Sequence, residues 1–278
     1  MGHLHPGYRG RRIPSHADCL NPMQTAQAFN PFSLDGHRIL VTGSTSGLGK
    51  MIALTCARMG AEVICTGRDA QRLEQTLTDL QAISHHAHQA VQADLTQAQG
   101  RDALVAAVGT TALNGVAHSA GISRLSPVRM LTEQHLHEVQ SINVDAPMLL
   151  TQALLKRNLI AAEGSMVFIA SIAAHIGVPG VAAYSGTKAA LLAMVRCLAM
   201  EVVKRRIRAN CLSPALVETP LLDATAALTG SMEQERNNYP LGFGKPEDVA
   251  NAAVFMLSGA SRWITGTTLV MDGGLTIR

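Results

Sequence analysis

The sequence predicts a doubly wound α/β domain built on a parallel sheet of about seven strands. Three observations lead there. Short runs rich in Val and Ile recur along the chain, segments with apolar residues at helical spacing separate them, and several runs are apolar on both faces. Strands that alternate with helices form parallel sheets covered on both sides, and ligands bind such sheets beyond the carboxyl ends of the strands.

The strand runs are Arg38–Thr42, Glu62–Thr66, Gln89–Ala93, Gly115–Ser119, Ser165–Ile169, Ile207–Cys211 and Thr268–Met271. Helical patterns fall between them, as in Gly49–Met59 and Ala189–Val203. Two long candidates, Val139–Asn158 and Tyr184–Val203, carry more Leu, Ala and Met than one core-facing stripe needs, which predicts a second buried face and hence a partner subunit. Residues 216–245 break the rhythm with Pro220, Gly230, Pro240, Gly242 and Gly244, and show only a weak helical pattern near Leu221–Leu228. A long irregular segment after a strand is expected to cover a substrate. Its Leu216, Val217, Leu221, Leu222, Leu228 and Phe243 favour an apolar one. Residues 1–32, with Arg9, Arg11 and Arg12, lack any period. They are expected to form a flexible extension, with a docking arm or a start at Met23 as alternatives, leaving 33–278 as a single domain.

Composition narrows the function. Of 278 residues, 47% are hydrophobic and 15% charged, which suits one large core, and the net charge of +3 gives no footprint for nucleic acid. No apolar run approaches the roughly 18 to 20 residues of a membrane span, so a cytoplasmic protein is expected. Cys19, Cys56, Cys65, Cys197 and Cys211 show neither metal-site nor disulfide-scaffold spacing, pointing to a reducing compartment. His85, His86 and His88 lack Cys or acidic partners, so no metal site is expected. Lys204-Arg205-Arg206 ends a helix, where cations suit the dipole.

The chemistry begins at the first strand–helix turn, Thr42-Gly43-Ser44-Thr45-Ser46-Gly47-Leu48-Gly49. Glycines there let a pyrophosphate approach the backbone N–H groups, and the positive end of the next helix favours its charge. An NAD site usually has an acid at the end of the second strand to bind the ribose hydroxyls. Here that strand ends Thr66-Gly67-Arg68, and a guanidinium suits a 2′-phosphate, so NADP(H) is favoured over NAD(H). Lys50 and Ser44 stand where they could share that phosphate.

Tyr184 and Lys188, four residues apart, share one helix face. An ammonium beside a phenol should lower the Tyr pKa and make it a general acid or base toward a carbonyl/alcohol pair. Ser171, at the end of a strand, could polarise the same oxygen.

Taken together, these residues resemble the short-chain dehydrogenase/reductase family. The match includes Thr42-Gly43-x3-Gly47-x-Gly49, Asp94, Ala120-Gly121, Asn143, the Ser171/Tyr184/Lys188 set, and the ending Ile264-Thr265-Gly266…Asp272-Gly273-Gly274. It covers residues 33–278 and implies a Rossmann-type sheet. It also implies cofactor contacts from Gly43, Ser44, Thr45, Ser46, Gly47, Leu48, Gly49, Arg68, Asp94, Leu95, Ala120, Gly121, Tyr184, Lys188, Pro214, Val217 and Thr219. By the same resemblance, Asn143 joins Ser171, Tyr184 and Lys188 as catalytic and holds a relay water, Asp94 meets the adenine, and Lys188 grips the nicotinamide ribose. On the residues alone, Asp94 could cap the next helix and Asn143 could satisfy buried backbone.

Two departures stand out. His118-Ser119 replaces a usual Asn-Asn, losing an amide that steadies the central strands, and Ser213-Pro214-Ala215 replaces a usual Pro-Gly. The pattern is similar to 3-oxoacyl-(acyl carrier protein) reductases and to polyol or gluconate dehydrogenases. The favoured expectation is reduction of a 3-oxoacyl thioester, with Arg124 and Arg129 available to an acyl carrier protein and Met200 standing where a second docking arginine would be. A polyol, sugar-acid or steroid dehydrogenase and a non-catalytic NADP(H) sensor are the alternatives. A homodimer or homotetramer is implied.

Overall fold

The computed structural model describes residues 29–220, 222 and 232–277. The chain divides into two compact units, Met1–Pro31 and Phe32–Arg278, and every element below belongs to the second. The readings made for Arg9, Arg11, Arg12, Cys19, Met23, Leu221 and Leu228 lie outside the described residues.

Seven strands form one sheet in the order β3-β2-β1-β4-β5-β6-β7. They are β1 (Arg38–Thr42), β2 (Glu62–Gly67), β3 (Gln89–Gln92), β4 (Leu113–His118), β5 (Ile160–Ile169), β6 (Arg208–Pro214) and β7 (Thr268–Met271). Every pairing is parallel. This is the Rossmann-type sheet the alternation predicts, and the strand order reverses direction between β1 and β4. The side chains alternate between two cores. Leu40, Val116, Met166 and Phe168 face one cluster, while Ile39, Val41, Ala117 and Val167 face the other. Both faces are dry, so the strands read as apolar runs without alternation. Phe168 is fully buried, and its truncation to Ala should cost about 3–5 kcal/mol.

Helices α1 (Gly47–Arg58) and α2 (Ala70–Ile83) follow β1 and β2, and α3 (Ala98–Val108) follows β3. Asp69 caps α2 by accepting from Arg72 N at 3.0 Å. The single helix predicted over Val139–Asn158 is instead α4 (Glu133–Gln140), which begins six residues earlier, and α5 (Ala146–Lys156), joined by a π-turn at Ser141–Asp145. Such turns concentrate at functional sites, and this one presents Asn143. The long helix α6 runs Ala182–Val202. It therefore begins before Tyr184, whereas the apolar spacing becomes regular only at Ala189. Beyond β6, the irregular segment holds the short α7 (Glu233–Arg236), and α8 (Pro246–Leu257) packs beside α1. Pro246 at its first turn lacks the N–H that a helix start leaves unused, and Asp248 reaches back to Lys245 N at 2.7 Å.

Three features singled out in the sequence find their places in the structure. Cys197 is exposed on α6, while Cys56, Cys65 and Cys211 are buried. His88 is buried rather than part of a loose cluster: its Nδ1 accepts from Val63 N at 3.1 Å. Arg206 turns out of the α6 end at φ 58° and pairs with Glu163 at 2.9 Å.

Candidate active site

A groove of about 350 Å³ opens at the carboxyl ends of β1, β2 and β4, across the point where the strand order reverses. Gly43, Thr45, Ser46, Gly47, Leu48 and Gly49 line it, with Arg68, Asp94, Leu95, Ala120, Gly121 and Thr219. The glycines are needed for close packing. A Cβ on Gly43 would stand 2.7 Å from Ala120 Cα, one on Gly49 would stand 2.2 Å from Gly43 O, and one on Gly67 would stand 2.4 Å from Thr45 Cγ2. The start of α1 lies in this wall, has no acidic residue in its first turn, and receives no side-chain cap from Ser46. Its first N–H groups are thereby left to meet an anion. A groove floored by backbone and closed by a helix N-terminus fits a dinucleotide pyrophosphate.

Ser44 is a correction: it does not line the groove. Its Oγ accepts from Thr66 N at 2.9 Å and sits 3.2 Å from Thr66 O, and its carbonyl accepts from Thr76 Oγ1 at 2.9 Å. A fully buried hydroxyl so engaged staples the loop to β2 and α2. Lys50 is likewise withdrawn, paired with Asp79 at 2.7 Å. Arg68 is exposed on the groove wall and makes no side-chain ion pair among the described residues. Arg72, which sequence reasoning missed, lines the same wall, with Nε held 2.8 Å from Asp69 Oδ2. Its signal was the one-turn spacing from Arg68.

Asp94 lines the groove while its carboxylate accepts from Thr96 N and Thr96 Oγ1 at 3.0 and 2.7 Å, which holds it below the usual carboxylate range against the cost of burial. It is thus both a groove wall and a turn anchor, and the N-cap of α3 is Gln97. Gly100, also unforeseen, lets α3 approach: a Cβ there would stand 2.1 Å from Asp94 O.

The replacement of Asn-Asn by His118-Ser119 does not leave the central strands unsupported. Thr42 Oγ1 accepts from Ser119 N at 3.1 Å and from Ala120 N at 3.2 Å. His118 stacks on Phe168 with centroids 4.5 Å apart and meets Thr151 Oγ1 at 3.0 Å. Burial drives its pKa down to about 3, so the ring stays neutral.

Next to the groove lies a cavity of about 540 Å³. Ser171, Tyr184 and Lys188 face it together, with Pro214, Val217 and Thr219 at its rim. Ser171 stands two residues beyond the end of β5, and its Oγ accepts from Ala173 N at 3.2 Å on the same cavity wall as the Tyr184 phenol. Lys188 Nζ donates to Ile169 O at 2.7 Å and lies 5.7 Å from the Tyr184 ring centre. Here the expected acidification of Tyr184 does not appear. Burial pushes the phenol up, the Ser171 bond offsets only part of this, and burial brings Lys188 down to about 8. Desolvation is the largest influence on both groups. The phenol therefore keeps its proton at neutral pH, the state a general acid requires.

Asn143 is buried, and both ends of its amide are used. Oδ1 accepts from Ile122 N at 2.8 Å, and Nδ2 donates to Ile122 O at 2.9 Å and to Thr187 Oγ1 at 3.1 Å. Thr187 in turn donates to Tyr184 O at 2.7 Å. Its side chain therefore clamps the loop after β4 to α6. A Cβ on Gly121 would stand 3.2 Å from Asn143 Oδ1 and 3.4 Å from Lys188 Nζ, so that glycine lets the clamp close beside the lysine.

Of the irregular segment's apolar residues, Leu216, Val217 and Leu222 line the cavity. Phe243 does not: it is buried against Tyr239, with centroids 5.0 Å apart, and under the Arg236 guanidinium at 4.5 Å. Arg124, expected at a docking surface, pairs with Glu138 at 2.6 Å. Among the described residues no group of three or more His, Cys, Asp or Glu could hold a metal, and no helix is long and apolar enough to cross a membrane.

This geometry agrees with the chain's relatives. A family model described as enoyl-(acyl carrier protein) reductase matches residues 43–276. Gluconate 5-dehydrogenase of Gluconobacter oxydans is 30% identical over 252 residues, covering 88% of this chain and 97% of the relative. The 3-oxoacyl-(acyl-carrier-protein) reductase of Chlamydia pneumoniae is 32% identical over 248 residues, covering 88% and 98%. A Beutenbergia cavernae structure described as an NAD(P)-dependent gluconate 5-dehydrogenase, with NADP bound at low occupancy, superposes with a TM-score of 0.84 at 31% identity, covering 90% of this chain and all of that one. With the dinucleotide groove, the Ser171/Tyr184/Lys188 set and these relatives in agreement, the chain belongs to the short-chain dehydrogenase/reductase family, nicotinamide-dependent oxidoreductases acting on CH–OH groups.

Proposed function

We propose that the protein is an NADP(H)-dependent reductase of a keto group carried on an apolar body, with a 3-oxoacyl thioester as one member of that class. The observation that carries this reading is the cavity, where Ser171, Tyr184 and Lys188 open onto a wall that includes Leu125, Ile172, Ile176, Val178 and Leu275. Such a lining suits a hydrocarbon skeleton better than a polyol, whose hydroxyls would lose water without gaining partners.

When bound, the nicotinamide supplies the hydride to the carbonyl carbon. Ser171 and Tyr184 hydroxyls hold the substrate oxygen, and the Tyr184 O–H bond breaks to place its proton there as the alcohol forms. Lys188, charged below about pH 8, stabilises the resulting phenolate. Asn143 keeps α6 and the loop after β4 in register, so Tyr184 and Lys188 hold their positions. Arg68 would face the 2′-phosphate, with Arg72 beside it. Arg129 would be the free cation for a carrier protein, since Arg124 is paired.

The exposed Leu136 on α4, Leu149 on α5 and Met194 and Met200 on α6 support assembly as a homodimer or homotetramer, which light scattering reads as a multiple of the monomer mass. The buried free thiols support a reducing, cytoplasmic setting. The test of function is NADPH oxidation across β-ketoacyl thioesters, aryl ketones and keto sugar acids. Turnover should favour the first two. Preference for the sugar acids would overturn the apolar reading.

A further inference from the structure

One acid interrupts the apolar wall of the substrate cavity. Among its described lining residues only Lys188 and Glu235 are charged. Lys188 belongs to the catalytic set, but Glu235 comes from α7 in the irregular segment. Although α7 is short, it is anchored twice: Arg236 pairs with Glu218 at 2.8 Å and covers the Phe243 ring at 4.5 Å. The Glu235 carboxylate forms no salt bridge among the described residues, and its contact with Asn238 Nδ2 is long, at 3.4 Å. Burial raises the phenol of Tyr239, which also lines the cavity, and the neighbouring Glu235 charge adds to that rise.

A carboxylate beside an apolar cavity loses hydration when a substrate fills it, and it recovers that loss only if the substrate brings a donor. We propose that Glu235 is a specificity-determining residue: it receives a hydrogen-bond donor on the substrate body, away from the reacting carbonyl, and repels substrates that carry an anion there. This rests on reading the cavity as the substrate site. It separates the chain from enzymes whose cavities must welcome a sugar acid's carboxylate, and it narrows the substrate, within the proposed class, to a ketone whose apolar body carries a hydrogen-bond donor.

The experiment compares benzylacetones carrying a para-aminomethyl, para-hydroxymethyl or para-carboxylate group, with NADPH as reductant. In the wild type, kcat/KM for the aminomethyl ketone should exceed that for the carboxylate by about tenfold or more. The hydroxymethyl compound should fall between them if charge and hydrogen bonding both act, or match the aminomethyl if hydrogen bonding alone decides; either supports the assignment. Glu235→Gln should collapse the aminomethyl-to-carboxylate ratio to within about threefold, and Glu235→Asp should keep its direction. Equal use of the two charged ketones by the wild type, or a ratio that survives Glu235→Gln, overturns the assignment. If no ketone is reduced, the proposed function fails, and the inference is read from binding instead. Calorimetric Kd values of the three corresponding alcohols for the NADP⁺-loaded protein should then show the same ratio and the same collapse in Glu235→Gln, and their absence overturns it.

Discussion

The two ends of the active cleft are made of different material. The nucleotide end is backbone: glycines at positions 43, 49, 67 and 121 bring strand ends, loop and helix so close that a single added carbon would collide or crowd. The substrate end is side chain, much of it borne by the irregular segment between β6 and α8. Backbone N–H groups bind any dinucleotide alike, so the first end sets a shared chemistry. Exchangeable side chains on a loop can be altered without disturbing the sheet, so the second end is the one free to vary.

The largest effect should come where the two ends meet. Tyr184→Phe removes the proton donor and should lower kcat by about two to four orders of magnitude while leaving NADPH affinity intact, as read by stopped-flow turnover and cofactor fluorescence. Retained turnover would detach Tyr184 from the chemistry. Next, Gly49→Ala tests the backbone end. The new methyl falls 2.2 Å from Gly43 O, so the loop must shift, and NADPH affinity should drop at least about tenfold with the sheet's circular dichroism preserved. An unchanged Kd would show that the loop tolerates far more than its packing indicates.

A smaller, more selective effect is expected of Arg68→Asp. Loss of a charge-assisted pair is worth about 1.5–3 kcal/mol, so NADPH affinity should fall about ten- to a hundredfold while NADH affinity holds or rises. Arg72 should blunt this loss, and the double variant with Arg72→Ala should show the remainder. Equal affinity of the wild type for NADH and NADPH would remove the basis for NADP(H).

The smallest effect at neutral pH concerns the scaffold beneath both ends. Buried His118 takes a proton only near pH 3, whereas an unfolded chain takes it near 6.5. Its contribution is complete above 6.5 and is lost as the pH falls toward 3, by up to about 1.4 kcal/mol per pH unit. His37 and His88, also lowered by burial, act in the same direction. Urea midpoints at pH 7 and pH 5 should reveal this slope, and His118→Asn should flatten it.

Legibility of the sequence followed the range of the forces involved. The runs for β1, β2, β4 and β6 stood within a few residues of their observed bounds, because a strand buried on both faces must be largely apolar. The partly exposed start of β5, from Ile160, was not read. The glycine turn and the one-turn spacing of Tyr184 and Lys188 were equally visible, since each depends only on neighbours in the chain. Ser44 looked like any other loop hydroxyl, yet its partners on β2 and α2 lie 22 and 32 residues away. Asn143 as a clamp between Ile122 and Thr187, and Phe243 as an anchor for α7 rather than a cavity wall, were hidden for the same reason.

By itself, then, the sequence determined the alternation, the parallel sheet and the glycine-rich turn, and it singled out Ser171, Tyr184 and Lys188, from period, spacing and side-chain chemistry together with the family resemblance. Only the tertiary structure decided the balance of fields at the site. There burial raises the Tyr184 phenol, because desolvation depends on everything packed around a group and not on its neighbours in sequence. It also decided that Glu235, one acid among many in the chain, stands in an apolar cavity, and that Arg72 joins Arg68 on the groove wall.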